Sequence, residues 1–200
     1  MPDGIQVNAL LSAAIFAAKK HRGQVRKDQR SSPYITHPLT VAQILWEVGG
    51  IQNTEILSAA ILHDTLEDTS TTRTELASRF GDFVLTIVLE VTDDKSLPKI
   101  ERKRRQVLHA PDLSHPARLV KLGDKLANCT DVLELPPNGW NLKRRRDYVQ
   151  WAADVVSQIR GASAALENAF DAVLIEAETE LKFQIQPFET IHQRPWGWPI

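Results

Sequence analysis

The chain has 200 residues, 42% hydrophobic and 24% charged, with 9 Gly and 11 Pro, which excludes collagen-like, low-complexity and wholly disordered chains and fits one globular domain. Its net charge of −1 excludes a bulk attraction to nucleic acid or anionic lipid, so neither partner is expected and any phosphate recognition must come from local clusters. The single cysteine, Cys129, cannot close an internal disulfide, and the apolar run 9–18 is too short to cross a bilayer and is followed by its basic residues, so the expected location is cytoplasmic.

In chain order, Leu10, Leu11, Ala14, Ile15 and Ala18 share one stripe of a 3.6-residue period and predict an amphipathic first helix. Residues 21–37 are polar, with Gly23, Asp28, Ser31, Ser32 and Pro33, and predict a long loop of the kind that carries function. Pro38 favours a helix start and disfavours helical geometry for His37, which is expected at the helix mouth; Gly49 and Gly50 end that helix. A third helix is predicted over 54–66, a short capped one from Thr72 to Phe80, and a buried one over 83–91. Pro98 opens a basic helix to about 108, a polar loop covers 109–116, and helices are expected over 117–133, 142–160 and 162–181. The fold class is all-α, a single helical domain over residues 1–182 followed by an extension at 183–200. That extension, with Trp196, Trp198 and three prolines, reads as a strap on the domain surface, an oligomer contact or a disordered end, without recognisable chemistry.

The chemistry concentrates in His63-Asp64-Thr65-Leu66-Glu67-Asp68. On a continuous helix one imidazole and three carboxylates crowd one sector, and at a helix C-terminus the macrodipole disfavours the acids, so a compensating cation is expected. A solvated acidic turn with a satisfied core histidine is the plain alternative. His37 adds a second imidazole, and Asp124 is an isolated acid on a helix of apolar and basic residues, where it could equally pair with Lys121 or Lys125. Taken together, His37, His63, Asp64 and Asp124 form a mixed nitrogen and oxygen set suited to Mn²⁺, Fe²⁺ or Zn²⁺ rather than Ca²⁺, which points to metal-assisted hydrolysis.

The spaced His…His-Asp…Asp set resembles the HD phosphohydrolase superfamily. The strings at 33–38, 59–68 and 121–128 resemble the hydrolase domain of the RelA/SpoT alarmone enzymes, and 90–99 resembles the small stand-alone alarmone hydrolases, including the metazoan SpoT homologue. The likeness covers about residues 8–170. It implies an HD-domain helical bundle, His37, His63, Asp64 and Asp124 as ligands of one Mn²⁺ ion, and Glu67 and Asp68 as the acid pair handling the attacking water. It also implies a (p)ppGpp substrate, cleaved to GDP or GTP plus pyrophosphate, and hence a place in stringent-response chemistry. Arg26, Lys27 and Lys99 are the expected phosphate contacts, with Asn128 and Tyr148 as further substrate-binding residues. Gly123 stands where relatives usually carry Ala, a small-for-small change. Two other functions fit the residues: a phosphatase on another nucleotide such as NADPH, since the same machinery attacks any phosphate ester, and a metal-free alarmone-binding module. The intact ligand set and acid pair argue against the second. Which acid is the base, and the oligomeric state, are not legible.

Overall fold

Residues 56–62 leave no face for solvent, and a helix apolar all round belongs in a core. In the structure, a computed structural model describing residues 4–196, they form most of α3 (Thr54–Leu62), buried throughout and packed against α1 (Gly4–Lys20), α2 (Thr36–Glu47), α5 (Arg73–Val91) and α7 (His115–Glu134). Asn53 starts α3 by accepting from the amides of Glu55 and Ile56 at 2.9 and 3.1 Å, which satisfies two of the orphan donors of the first turn. The remaining helices are α4 (Thr65–Asp68), α6 (Lys99–His109), α8 (Leu142–Ser157) and α9 (Ala164–Glu180). Among the described residues there is no strand, only an isolated bridge between Val25 and Pro33, and no helix is long and apolar enough to cross a membrane.

Four differences from the sequence expectation bear on the site. The third helix does not run on to residue 66: it stops at Leu62, and Thr65, whose hydroxyl donates to the Leu62 carbonyl at 2.6 Å, starts the separate turn α4. His37 sits at the mouth of α2 as expected, but inside its helical first turn, because Ile35 already has helical dihedrals. The loop at 109–116 contains a 3₁₀ turn, Ala110–Asp112, and α7 starts at His115 with Pro116 in its first turn and Ser114 as its cap. Helices α8 and α9 stop a little inside their expected ends. Thr72 caps α5 as expected, and Gly81, at φ 84°, kinks it between the two helices read from sequence.

Helices α2 and α7 meet closely where Gly123 faces Val41 and Leu45. A Cβ built on Gly123 would sit 3.0 Å from Leu45 Cδ2, so the glycine lets these helices approach more tightly than a side chain allows. Their approach matters because α2 carries His37 and α7 carries Asp124.

The described part of the C-terminal extension lies on the domain. A 3₁₀ segment, Phe188–Gln193, follows Pro187, and Ile191 and Trp196 are buried. Gln150 of α8 accepts from the Gln186 amide at 2.7 Å, and Asp154 receives Trp196 Nε1 at 2.8 Å and pairs with Arg194 Nε at 2.7 Å. Trp198 lies outside the described residues.

Candidate active site

Three helices deliver the ligand set. His37 comes from the start of α2, His63 from the end of α3, and Asp124 from the middle of α7. His37 Nε2 is 3.2 Å from Asp124 Oδ1, and one ligand atom from each of these three residues lies within 4.8 Å of the other two. Asp64, turned inward by the break after α3, places Oδ2 3.1 Å from His63 Nε2 and 3.8 Å from His37 Nε2. The two histidines, 87 and 61 positions from Asp124 in sequence, thus converge with both acids on one point.

The donor chemistry fits a metal ion. His63 Nδ1 donates to the Ala60 carbonyl at 2.7 Å, so its lone pair is left on Nε2, a buried atom without a hydrogen-bond partner that faces the two carboxylates. Without a cation, burial pushes the His63 imidazolium down, but Asp64 and Asp124 outweigh burial and raise its pKa to about 10. Burial acts against charge on both acids too; His63 then holds Asp64 well below the usual carboxylate range, and Lys125 with the histidines does the same for Asp124. A divalent cation held here would compete with a proton for His63 Nε2.

Further partners orient this set. The Tyr34 hydroxyl donates to Asp64 Oδ2 at 2.6 Å, and Lys125, buried against the Trp151 ring, donates to Asp124 Oδ2 at 3.0 Å. Asn128 was expected to bind substrate. Its amide instead donates to Asp124 Oδ1 at 2.5 Å while its carbonyl accepts from Arg26, which also pairs with Asp131; Asn128 still lines the cavity. The Lys125 pairing is one of the two that the sequence offers for Asp124; the Tyr34 contact is one it missed, although Tyr34 stands inside the 33–38 string. Lys121, the other partner weighed for Asp124, turns away and donates to the Val91 carbonyl at 3.0 Å. Cys129 is buried and its thiol is pushed up to about 12, so it is unreactive.

The acids of α4 need a correction. Glu67 and Asp68 lie in the first turn of a new, four-residue helix, so the dipole of α3 does not act on them as supposed. The protein supplies their compensating charge: Lys95 pairs with Asp68 and sits 3.6 Å from Glu67, and Arg102 is 3.7 Å from Glu67. Glu67 Oε2 accepts from the Asp93 amide at 2.9 Å, and burial raises its carboxyl above the usual value despite that bond.

Both acids open on a cavity of about 630 Å³, also lined by Arg26, Lys27, Lys99, Asn128 and Tyr148. The loop that carries Arg26 and Lys27 is built: Asp28 accepts from the amides of Arg30 and Ser32, and the Arg26 amide donates to the Ser32 carbonyl at 2.8 Å. Of the basic run 143–146, only Arg144 faces the site region. Lys143 pairs with Asp147, and Arg145 and Arg146 cap backbone carbonyls of residues 132, 133, 181 and 182.

A family model described as the HD domain matches residues 13–149. The guanosine-3′,5′-bis(diphosphate) 3′-pyrophosphohydrolase of Xenopus tropicalis is 52% identical over 167 residues, covering 84% of this chain and 93% of its own. The Homo sapiens protein of the same description is 51% identical over 166 residues, covering 83% of this chain and 93% of its own. A solved structure of a metazoan orthologue of SpoT, described as hydrolysing ppGpp, superposes with a TM-score of 0.83 at 40% identity, over 88% of this chain and 97% of that one.

Proposed function

This chain belongs to the HD domain family, and on that premise we propose that it is a guanosine 3′,5′-bis(pyrophosphate) 3′-pyrophosphohydrolase, releasing pyrophosphate and GDP or GTP. The observation that carries this reading is the convergence of His37, His63, Asp64 and Asp124 behind Tyr34 and Asn128, which line a cavity that Glu67, Asp68, Arg26, Lys27, Lys95 and Lys99 line with them. These four residues would hold one divalent ion, for which Mn²⁺ suits the mixed donor set. A divalent cation bound there supplies positive charge beside the attacked phosphate and makes water a competent nucleophile at neutral pH.

The chain's own residues supply the rest. Glu67 takes the proton of the attacking water: burial raises its affinity for a proton, and the Asp93 amide fixes Oε2 while Oε1 faces Lys95 and Arg102 at 3.6 and 3.7 Å. Asp68, neutralised by Lys95, orients water beside it. The new oxygen–phosphorus bond replaces the bond to the ribose 3′-oxygen, which leaves with a proton. Lys27 and Lys99 meet the pyrophosphate as point charges, whereas Arg26, already engaged by Asp131, holds Asn128 and through it Asp124. The two domain segments, 1–182 and 183–200, belong to one catalytic unit acting in the cytoplasm.

The test is a nucleotide panel with Mn²⁺: the bis(pyrophosphate), NADPH and a 3′-monophosphate. Pyrophosphate release from the first, at a kcat/KM at least about tenfold above phosphate release from the others, is expected, because a lost charge-assisted contact is worth about that much. A preference for NADPH would overturn the substrate and leave the metal hydrolase standing.

A further inference from the structure

The substrate cavity continues past Lys99. A second chamber of about 290 Å³ adjoins it and shares Lys99, Trp140 and Tyr148 as walls; its other side carries Lys103 of α6, Arg144 of α8 and Trp196 of the C-terminal strap. Among the described residues, Lys99, Lys103 and Arg144 have no carboxylate at ion-pair distance, and the one acid of the chamber, Asp147, is taken by Lys143 at 2.7 Å. Burial lowers the Lys99 ammonium, and Arg144 and Lys27 add to that; burial, then Lys99 and Lys125, bring Lys103 down to about 8. Cations gathered without a counter-ion repel one another, a cost that an anionic ligand removes.

The aromatic side chains here serve those cations. Arg144 lies 4.4 Å from the Trp140 ring centre, and the Lys103 ammonium lies 4.7 Å from Trp151, 4.8 Å from Trp196 and 5.7 Å from Tyr148. What the chamber offers a ligand is therefore positive charge more than a stacking face. Trp196 is fixed from behind by the fully engaged Asp154, which also binds Arg194 and Gln150.

We propose that this strap-walled chamber seats the 5′-diphosphate of the nucleotide, with Lys103 and Arg144 as counter-charges beyond the shared wall at Lys99 and Trp196 as the positioning residue that holds Lys103 there. The assignment rests on the 3′-pyrophosphohydrolase reading, which puts the 3′-pyrophosphate at the acid pair and sends the other anionic end of the nucleotide away from it. It gives the extension a role in substrate choice.

Calorimetric titration of the full chain with GDP and with guanosine 3′-diphosphate bearing a free 5′-hydroxyl tests this. Lys103→Met keeps the apolar stem among the rings and removes the charge; it should weaken GDP at least about tenfold and change guanosine 3′-diphosphate less than about twofold. Trp196→Ala should shift GDP in the same direction and leave guanosine 3′-diphosphate within about twofold, a selectivity that a merely structural role would not produce. Equal losses for both ligands, or an unchanged GDP affinity in Lys103→Met, would overturn the seat, and an unchanged GDP affinity in a folded Trp196→Ala would overturn the positioning role. If Trp196→Ala does not fold, Lys103→Met decides alone. A GDP-selective loss in a chain that releases no pyrophosphate would keep the diphosphate seat and remove the hydrolase reading.

Discussion

Replacing Asp124 or His63 by alanine is expected to strip the bound metal and to lower turnover by roughly a thousandfold or more, the scale of several kcal/mol of transition-state stabilisation lost with the cation. The geometry makes the two changes equivalent in kind. Each removes one atom of the three-residue group that lies within 4.8 Å, and each leaves the others in a buried site with too few donors. The fold should tolerate both. Asp124 stands next to Lys125, which keeps the Trp151 ring as a partner, and His63 sits where α3 has already ended. Metal content by mass spectrometry beside kcat checks this: both should fall together, and full metal occupancy in either variant would remove that residue from the ligand set.

Glu67→Gln should separate the two quantities. The glutamine carbonyl can still accept from the Asp93 amide, so the side chain stays where Glu67 is and the metal content should stay within twofold of wild type. Turnover should fall by about a hundred- to ten-thousandfold, the usual contribution of a positioned general base, because an amide cannot take the proton. A variant that keeps a tenth of the wild-type kcat would pass the base role to Asp68, whose carboxylate lies across Lys95 from the same water space.

Much of this was legible in the sequence because it is written at short range. The helical periods of 10–18, 83–91 and 117–133 follow directly from which side chains need burial, and the His…His-Asp…Asp residues do converge. The break at Leu62 was hidden, since His63 and Asp64 keep helical dihedrals and only the Thr65 hydroxyl and the turn after it reveal the restart. The charge on Glu67 and Asp68 was assigned to a cation because their true partner, Lys95, stands 27 positions away from Asp68, beyond any reading by helical spacing. The strap itself was legible as a strap on the domain surface, but its partners were not, for the same reason. Nothing local to Trp196 announces that its indole meets Asp154, 42 positions earlier, or that Lys103 lies over its ring.

The account stands most directly on pyrophosphate release from the guanosine bis(pyrophosphate) by the purified chain, measured as prepared, after exhaustive chelation, and after return of Mn²⁺. Release should vanish with the metal and return with it, at a rate that tracks occupancy of one site per chain. Undiminished release in excess chelator would contradict the metal site built from His37, His63, Asp64 and Asp124, and with it the mechanism.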